Sequence, residues 1–468
     1  MRVLLISTYD LGRQPFGLAS PAAWLREVGV DVRLADVSRE RLRQDDVQAA
    51  RLVAFFLPMH TATRLAIPVM ERVRAWNPGA RLCAYGVYAP LNAALLRERG
   101  VTDIFGGEFE AGLRDLAIEM SSAGEEGEKK LPGNLTTPDL KVGPTGEGDG
   151  GAGAVPRLAF RTPDRAGLPD LSRYAALQIG AERRTAGYTE ASRGCKHLCR
   201  HCPIVPVYNG RFRVVPVPVV MADIRAQVAA GARHITFGDP DFFNGIGHAT
   251  AVVDAFGREF PGVSFDVTIK VEHLLRQAGA LPRLREAGCA FVTSAVESID
   301  DAVLARLEKG HTREDVERAV ALCREAGLVL APTFVAFTPW TTLRSYCELL
   351  ETIARLDLID QVAPIQLAIR LLVTEGSRLL ALEDLRALIG GFDPRSLTYP
   401  WRHPDPRADA LQERLAGLVG VELSASRRGT FERVWHEAHE AAGLHGPPEL
   451  PAPRPRTAVP YLNEPWYC

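Results

Sequence analysis

One short segment organises this chain of 468 residues, and it reads Arg193-Gly194-Cys195-Lys196-His197-Leu198-Cys199-Arg200-His201-Cys202-Pro203. Three of the eight cysteines fall within it at a CxxxCxxC spacing, while the other five are scattered along the chain. In a reducing cytosol, cysteines crowded in this way indicate a metal site rather than a framework of disulfides. The segment is therefore the first candidate for a functional site.

Thiolates of Cys195, Cys199 and Cys202 on one compact loop can reach three corners of a 4Fe–4S cluster. Such a cluster normally takes four cysteines, so three leave one iron open to bind the amino and carboxylate groups of S-adenosylmethionine (SAM). The alternative is a zinc site in which His197 or His201 is the fourth ligand. Otherwise the two histidines are donors around the cluster or surface residues. The segment follows the first strand of a repeated strand–helix pattern, which favours the cluster.

The first 120 residues alternate short apolar runs with amphipathic segments. Strands are predicted at residues 3–7, 30–34, 52–57 and 81–85, with helices at 19–28 and 62–76. This alternation predicts an α/β, doubly wound, Rossmann-like domain whose ligands bind at the carboxyl ends of the strands. The next segment, residues 121–156, is rich in glycine and lacks aromatic residues. It is predicted to be a flexible linker because it cannot bury a core.

The strand–helix alternation returns in residues 157–380, which we expect to form a partial, TIM-like (βα)6 barrel. Its six strands are predicted at residues 188–192, 234–237, 264–269, 291–296, 329–337 and 365–372. Catalytic groups should lie at their carboxyl ends. Residues 381–468 are predicted to be helical at first and then extended, in a Pro/Arg-rich tail that packs over the barrel.

Polar residues follow the second and third of these strands. Gly238 and Asp239 end the second strand, where the backbone can bind an ammonium group, whereas Asp241 fits a solvated turn. Lys270 and Glu272 follow the third strand. They are candidates for binding the carboxylate or ribose of SAM, and the alternative is that they simply pair with each other.

The later strands supply three further candidates. Glu297 ends the fourth strand, where a carboxylate can accept hydrogen bonds from a ribose, and Ser294 on the same strand is a further candidate for contact with SAM. Ile369, on the sixth strand, can stack on adenine, although core packing explains it equally well. Three other cysteines lie in helical or apolar settings and are predicted to be buried core residues: Cys289, Cys323 and Cys347.

The cluster segment, the six strand–helix units and Glu297-Ser298 resemble the radical SAM superfamily. Residues 1–120 resemble the cobalamin-binding domain that often precedes it, through Phe16-Gly17-Leu18-Ala19, Gly29-Val30-Asp31-Val32 and Gly106-Gly107-Glu108. The resemblance implies that a flavodoxin or ferredoxin reduces the cluster and that SAM yields a 5′-deoxyadenosyl radical. It also implies cobalamin as a methyl donor to a small-molecule or peptide substrate.

More narrowly, three stretches resemble the family named for its CUAEP/CCAEP tail: residues 190–195 (EASRGC), 238–245 (GDPDFFNG) and 463–468 (NEPWYC). That family continues past the position of Cys468 with a cysteine or selenocysteine and then Ala-Glu-Pro. UGA encodes the selenocysteine of that family and is ordinarily a stop codon. We therefore expect that this sequence was ended early at a UGA codon and belongs to a truncated selenoprotein. Cys468 is the candidate catalytic nucleophile of the tail, and the alternative is a chain end whose cysteine has no role.

The N-terminal domain departs from the cobalamin-binding pattern because it lacks the Asp-x-His-x-x-Gly motif. His60 is the only histidine before the linker and hence the only candidate there for a cobalt ligand. Cobalamin then binds without a histidine, or the domain is vestigial. Two alternatives remain open: cobalamin-independent alkyl or aminocarboxypropyl transfer to a thiophilic centre held by Cys468, and a non-catalytic cluster or cobalamin sensor.

Composition excludes other classes of protein. A net charge of −2 argues against binding to nucleic acid, which usually requires a basic excess. No apolar run approaches the roughly 20 residues of a membrane helix, and the amino terminus turns polar at Ser7 too early for a signal peptide. We therefore expect a cytoplasmic protein.

Overall fold

The computed structural model describes residues 1–125, 158–421, 426–444, 449–452 and 458–463. It comprises two compact units. The first unit is Met1–Arg173 with Pro394–Leu397, and the second is Tyr174–Asp393 with Thr398–Cys468. Both are α/β, as the sequence predicts. Among the described helices, none has the length and apolar content that a membrane span needs.

The first unit contains a parallel sheet in the order β2-β1-β3-β4-β5. Its strands are β1 (Arg2–Ser7), β2 (Asp31–Asp36), β3 (Leu52–Phe56), β4 (Arg81–Tyr85) and β5 (Asp103–Phe105). Its helices are α1 (Phe16–Glu27), α2 (Gln44–Ala49), α3 (His60–Trp76), α4 (Tyr88–Leu91), α5 (Ala93–Glu98) and α6 (Glu110–Glu125). The doubly wound prediction is confirmed.

Burial explains why the sequence predicted this sheet well. Every residue of β3 is buried, because helices cover both faces of the sheet, and strands buried on both faces are continuous apolar runs. One core lies on the side of α3 and includes Met70 and Val73. The other lies on the side of α1 and α6 and includes Leu18 and Leu113.

The predicted linker overlaps the end of this unit. Residues 121–125 form the last turn of α6 rather than the start of a linker, and residues 126–157 lie outside the described residues. Residues 158–173 belong to the first unit, where Asp164 pairs with Arg26 at 2.8 Å.

The second unit contains a seven-stranded sheet in the order β13-β12-β11-β10-β7-β6-β14 and a separate hairpin, β8-β9. The strands are β6 (Ala176–Ile179), β7 (Glu182–Thr189), β8 (Ser192–Gly194), β9 (Phe212–Val214), β10 (His234–Phe237), β11 (Ser264–Thr268), β12 (Cys289–Glu297), β13 (Val329–Phe334) and β14 (Tyr461–Leu462). The five strands from β7 to β13 along this sheet are parallel, and β6 and β14 extend it in antiparallel fashion.

Helices follow these strands in the order of a partial barrel. They are α7 (Val205–Tyr208), α8 (Val217–Ala229), α9 (Ile246–Glu259), α10 (Val271–Arg276), α11 (Leu281–Glu286), α12 (Asp301–Arg306), α13 (Arg313–Glu325), α14 (Leu343–Arg355), α15 (Glu383–Arg386), α16 (Pro406–Val421) and α17 (Arg427–Ala441). The start of α13 is fixed by a capping box between Thr312 and Asp315.

The prediction of a sixth strand over residues 365–372 is wrong. Pro364–Leu367 forms a 3-10 helix, and only Arg370 makes a strand-like bridge, to Phe337. Proline favours the first turn of a helix and lacks an N–H for sheet pairing. The side chain of Gln366 instead accepts a hydrogen bond of 2.9 Å from the backbone N–H of Phe334, where a neighbouring strand would otherwise pair.

Two other predictions change in detail. The predicted strand at residues 188–192 is divided between the end of β7 and the start of β8. The part of the C-terminal tail that the structure describes does include an extended piece, because β14 pairs with β6. Residues 464–468, including Cys468, lie outside the described residues.

Candidate active site

The three cysteines of the CxxxCxxC segment lie on a loop that the β8-β9 hairpin closes. Arg193 pairs with Arg213, and Gly194 with Phe212, at the base of the loop. Gly194 has a φ of +75°, and a Cβ there would come within 2.4 Å of the carbonyl oxygen of Arg211. Only glycine fits this turn without moving the backbone, so the hairpin fixes the point from which Cys195 projects.

The loop brings the thiols close enough to influence one another. Cys199 is buried, and Cys195 and Cys202 are partly exposed. Burial raises the pKa of Cys202 to about 12, and the nearby thiols Cys199 and Cys195 raise it further. Burial likewise raises the pKa of Cys195. Three thiolates in this space need a compensating positive charge, which iron supplies.

The spacing of ligand atoms separates a cluster from a zinc site. In the described part of the chain, the ligand atoms that lie within 4.8 Å of one another belong to Cys195, His197 and Asp241, and this group excludes Cys199 and Cys202. Four ligands around one zinc at about 2.0–2.3 Å would lie closer together than this limit. The three thiols are too widely spaced for one zinc ion, so the arrangement favours a larger cluster.

Asp241 connects the ends of two strands to the cysteine loop. Its carboxylate accepts hydrogen bonds from Nδ1 of His273 at 2.6 Å and from the backbone N–H of Lys270 at 3.3 Å. Nε2 of His197 lies 3.4 Å away. Burial would raise the pKa of Asp241, but the bonds from His197 and His273 outweigh it and lower the pKa to about 2. The assignment of Asp241 to a solvated turn is wrong, since the residue is 1% exposed.

Asn244 is a functional candidate that the sequence analysis did not identify. Its Oδ1 accepts a hydrogen bond of 3.1 Å from the backbone N–H of Lys196 and lies 3.9 Å from Sγ of Cys195. Its Nδ2 donates to the carbonyl of Gly194 at 3.4 Å. One amide therefore secures both sides of the first cysteine. Asn244 lies in a quoted stretch of the sequence, but nothing in the pattern assigned it this contact.

Gly238 and Asp239 lie at the end of β10, where the sequence placed them, with contacts that hold the protein together. A Cβ on Gly238 would overlap the hydroxyl of Tyr188. Asp239 accepts hydrogen bonds from the backbone N–H of Ala191 at 2.9 Å and from Oγ of Ser192 at 2.5 Å. Burial raises the pKa of Asp239 to about 7. This carboxyl group thus anchors the entry to the cysteine loop.

Lys270 and Glu272 come together with the histidine of the loop. Nζ of Lys270 lies 2.9 Å from Nδ1 of His197 and 3.4 Å from Oε2 of Glu272. Arg276 pairs with the other oxygen of Glu272 at 2.8 Å. The two predicted residues therefore do pair with each other, and the ammonium of Lys270 is held beside the cysteine loop.

Glu297 occupies the end of β12 in a strained conformation. Its φ of +68° lies in the left-handed region, which favours glycine and marks functional sites when a bulky residue adopts it. Nζ of Lys309 and Nε2 of His201 lie 3.3 and 3.2 Å from its Oε1. Burial would raise the pKa of Glu297, but the charge of Lys309 and the bond from His201 lower it to about 2.

Lys309 is the second residue that sequence reasoning missed. It is 4% exposed. Burial alone would lower its pKa, but the charges of Glu297 and of the nearby thiols Cys199 and Cys202 raise it. The available signal was its position in Lys309-Gly310 before the capping box of α13, which says nothing about its partner. The buried ammonium of Lys309 thus lies near both the carboxylate of Glu297 and the thiols of the cysteine loop.

The remaining predicted residues make fewer contacts within the site. Ser294 shares a face of β12 with the fully buried Val292 and Val296, and its hydroxyl has no hydrogen-bond partner among the described residues. Ile369 is half-buried, and its carbonyl accepts from the N–H of Phe337 at 2.9 Å. The prediction that the scattered cysteines are core residues is confirmed for Cys289, Cys323 and Cys347, all of which are buried.

The first unit has a cavity of its own, of about 690 Å³. It lies at the carboxyl ends of β1 and β2, close to where the strand order reverses. Loop residues such as Thr8, Tyr9 and Ser38 line it together with Arg72 and Trp76 of α3. In α/β sheets, ligands bind at such switch points.

His60 does not line this cavity. Its Nε2 lies 2.5 Å from the carbonyl oxygen of Ser396, and its Nδ1 is buried without a partner among the described residues. Burial lowers the pKa of His60. The ring is bonded to the backbone, so its geometry does not support the role of a cobalt ligand.

The sequence profile of the radical SAM superfamily matches residues 189–341. This range contains the cysteine loop, Asp241, Lys270, Glu297 and Lys309. The match confirms the prediction of a radical SAM domain with a 4Fe–4S cluster and SAM as its cofactors.

The chain is 24% identical over 356 residues to the hopanoid C-3 methylase of Methylococcus capsulatus, an alignment that covers 74% of this chain and 66% of that protein. The chain spans just under two thirds of this relative, and less than half of a ribosomal protein uS12 methylthiotransferase and of a tRNA-2-methylthio-N(6)-dimethylallyladenosine synthase. These matches do not confirm the narrower resemblance to the CUAEP/CCAEP-tail family or the truncated selenoprotein, which stay predictions.

Two solved structures share the fold. The cobalamin-dependent SAM radical enzyme OxsB aligns with a TM-score of 0.69 and 16% identity, over 95% of this chain and 72% of that one. The radical SAM methyltransferase TsrM from Kitasatospora setae aligns with a TM-score of 0.56 and 19% identity, over 76% of this chain and 71% of that one.

Proposed function

Since residues 189–341 form a radical SAM domain, we propose that this chain cleaves SAM reductively and uses the radical to methylate a substrate with the help of cobalamin. The observation that carries the proposal is the closed loop of three thiols beside buried ionic groups at the strand ends. The hopanoid methylase relative and the fold of OxsB and TsrM support the methyl-transfer part.

Cys195, Cys199 and Cys202 would hold the 4Fe–4S cluster. Its chemistry, when bound, is the transfer of one electron to the sulfonium of SAM, after an acidic carrier such as a flavodoxin or ferredoxin has reduced it. The protein's own contribution is the shape and charge of the site. Asn244 and the β8-β9 hairpin hold the loop in place, and the buried charge of Lys309 offsets the negative charge of the thiolates.

The ionic groups at the strand ends suit the charges of SAM. We assign the ammonium of Lys270 to the carboxylate of SAM, because it lies beside the cysteine loop on His197. We assign the second oxygen of Glu297 to the ribose hydroxyls, because its two side-chain hydrogen-bond contacts among the described residues both use Oε1. Such prearranged charges bind a charged ligand without reorganisation.

The first unit fits cobalamin in part. The cavity beside β1 and β2 offers hydroxyl, arginine and aromatic groups such as Tyr9, Arg72 and Trp76, which can bind the amide-bearing edge of a large polar ligand. No histidine is available for cobalt, because His60 is the only one in the unit and its ring is bonded to Ser396. We therefore propose that cobalamin binds this unit without a histidine ligand.

Anaerobic reconstitution with iron, sulfide, SAM and dithionite tests the core of the proposal. We expect about four irons per chain and release of 5′-deoxyadenosine, both lost in Cys199→Ala. The matched control is Cys323→Ala, which removes a buried thiol from α13 and should keep the iron. Cleavage that survives Cys199→Ala would disprove the cluster assignment.

The nature of the product distinguishes the alternatives. Methylthioadenosine in place of 5′-deoxyadenosine would indicate aminocarboxypropyl transfer, and a chain that binds the cluster without turning over SAM would indicate a sensor. Chains incubated with hydroxocobalamin and passed through gel filtration should retain its absorption bands. If they retain none, methyl transfer through cobalamin is wrong while SAM cleavage still stands.

A further inference from the structure

We propose that the chain, before its cluster is assembled, binds one divalent metal ion of the zinc or iron(II) type through Cys195, His197 and Asp241. We call these three residues the mononuclear site. One ligand atom from each lies within 4.8 Å of the other two. His197 and Asp241 are not ligands of the proposed cluster, so the mononuclear site differs from the cluster site although both use Cys195. It lies wholly within the second unit.

The distance between the nitrogen and the oxygen of the mononuclear site fits one tetrahedral ion. Nε2 of His197 lies 3.4 Å from Oδ2 of Asp241. Since zinc binds nitrogen and oxygen at about 2.0–2.2 Å, two ligand atoms at the tetrahedral angle lie roughly 3.3–3.6 Å apart. Nε2 is also buried and makes no hydrogen bond of normal geometry among the described residues. A buried nitrogen at this distance from a carboxylate is placed as a ligand of the same ion.

The carboxylate of Asp241 is fixed in the orientation that this role needs. Its Oδ1 accepts hydrogen bonds from the backbone N–H groups of Phe243 and Lys270, each at 3.3 Å. Its Oδ2, the oxygen that faces His197, accepts a hydrogen bond of 2.6 Å from Nδ1 of His273. Carboxylates that bind metals are usually held by such outer hydrogen bonds. The ligand oxygen is therefore in place before the ion arrives.

The donor atoms of the mononuclear site indicate the class of ion. Thiolate and imidazole ligands select zinc and iron(II), whereas Mg²⁺ and Ca²⁺ prefer oxygen ligands alone. Three protein ligands leave the fourth position of a tetrahedral ion to water. Cys195 binds as the thiolate, so its proton passes to the solvent when the ion binds. Cys199 and Cys202 lie outside this group, and the ion is held by one sulfur rather than by three.

Lys270 opposes the ion. Its Nζ lies 2.9 Å from Nδ1 of His197, which accepts a hydrogen bond from the ammonium. An ion on Nε2 moves the ring proton to Nδ1, because a neutral imidazole carries one N–H. The ammonium then has to turn to Glu272, whose Oε2 lies 3.4 Å from it. Lys270 thus lowers the affinity of the site for the ion, and its removal should raise that affinity.

The mononuclear site and the cluster exclude each other, because both require the sulfur of Cys195. This consequence rests on the proposed function, whereas the binding of the ion does not. A zinc ion bound here withholds one of the three cluster ligands until it dissociates. Zinc added before iron and sulfide should therefore slow cluster formation in the unmodified protein, and it should not slow it in His197→Ala. Equal slowing in the two proteins would overturn this part of the proposal.

Titration with cobalt(II) tests the mononuclear site in the full-length chain, purified anaerobically without its cluster. Cobalt(II) replaces zinc at such sites, and each bound thiolate adds charge-transfer absorption. We expect one cobalt ion per chain with the absorption of one thiolate, and zinc should displace it. His197→Ala and Asp241→Asn should each weaken binding by at least about 10-fold, since even the loss of an outer hydrogen-bond partner costs 10–100-fold. Lys270→Met should instead strengthen binding several-fold.

Cys199→Ala is the matched control, because it removes a thiol of the same loop that lies outside the mononuclear site. It should keep the cobalt affinity of the unmodified protein, whereas Cys195→Ala should lose the thiolate absorption. The proposal is overturned if the chain binds no cobalt or if Cys199→Ala loses the ion as Cys195→Ala does. It is also overturned if neither His197→Ala nor Asp241→Asn weakens binding.

Circular dichroism of each variant shows whether it is folded. If the buried change Asp241→Asn prevents folding, His197→Ala decides, because this ring lies on the loop and is partly exposed. The cobalt titration uses the chain without its cluster, so its result is independent of SAM cleavage. Failure of the reconstituted protein to cleave SAM would disprove the proposed function and would leave the mononuclear site standing.

Discussion

The two units place different groups at the carboxyl ends of their parallel strands. At the carboxyl ends of the parallel strands in the second unit, buried charged side chains lie beside the thiols, as in the pair of Glu297 with Lys309. Near the corresponding edge of the first unit, the buried carboxylate of Asp36 accepts hydrogen bonds from the neighbouring Ser38, and the ring of His60 is bonded to a backbone carbonyl. The thiols of the cysteine loop and the ion pairs beside them therefore belong to the second unit.

This difference affects the stability of the second unit. Buried ions cost free energy that only their partners and hydrogen bonds offset, so the second unit maintains its site at the expense of stability. The strained φ of Glu297 adds to that cost. Both units also pack aromatic rings in their interiors, such as Tyr85 with Phe109 in the first and Phe256 with Phe265 in the second, whose centres lie 4.8 and 5.0 Å apart.

The largest expected effect comes from removing the carboxylate of Glu297. In Glu297→Ala, Lys309 remains buried without its counter-ion, and breaking a buried pair in this way costs roughly 3–5 kcal/mol. Denaturant unfolding of the apoprotein, followed by hydrogen exchange of peptides from β12, measures the loss. Glu259→Ala on α9 removes a carboxylate from an exposed pair with Arg225 and should cost no more than about 1 kcal/mol. Equal losses in the two variants would refute the view of Glu297 as a buried ionic centre.

The sequence predicted the parts of the fold that depend on local pattern. Strands such as β3 and β10 are apolar runs because the sheets are covered, and the predicted and observed bounds differ by at most one residue. The sixth predicted strand failed because residues 365–372 are equally apolar, while the contacts of Gln366 and the backbone limits of Pro364 decide their conformation. Those contacts join residues far apart in the chain, so no local window contains them.

The residues of the site also divide into those that the local sequence predicts and those that depend on the fold. The three thiols follow from spacing alone, and the strand ends locate Lys270 and Glu297. Lys309 and Asn244 were missed because their roles depend on which loop lies beside which strand end. Nothing in Lys309-Gly310 indicates that its ammonium reaches Oε1 of Glu297, twelve residues earlier. Such contacts between a strand end and a later loop depend on how the chain folds, so the local sequence does not predict them.

Acid should weaken the second unit in a defined range. The pKa of both Asp241 and Glu297 is lowered to about 2 in the folded protein. The stability that each contributes is present above its ordinary pKa, near 4, and is lost as the pH falls toward 2. The shifts correspond to roughly 2 kcal/mol for Asp241 and roughly 3 kcal/mol for Glu297. Hydrogen exchange of β10 and β12 at pH 5, 4 and 3 should show the loss, and Glu297→Gln should flatten it. A pH dependence that Glu297→Gln leaves unchanged would contradict the assignment.

A smaller effect is expected from closing the turn at Gly194. In Gly194→Ala, the added Cβ meets the backbone at 2.4 Å and the residue keeps a φ of +75°. We expect the loop to lose roughly 2 kcal/mol and iron occupancy to fall several-fold after reconstitution. Gly231→Ala has a φ of +97° but no atom within 4 Å of its Cβ, so it should cost about 1 kcal/mol and keep the iron. Similar iron contents in both variants would show that the turn does not position Cys195.

The smallest effect lies in the first unit, at His60. In His60→Phe the side chain loses its bond to Ser396 but keeps an aromatic ring of slightly larger size, which should cost about 1 kcal/mol. Because burial lowers the pKa of His60, the unmodified unit should lose stability as the pH falls below about 6.5, and the variant should lose this dependence. The absorption bands of any bound cobalamin should be the same in both proteins. A shift of those bands in His60→Phe would place His60 on cobalt and would remove the contrast between the two units, since both would then use a titratable side chain at the strand edge for cofactor chemistry.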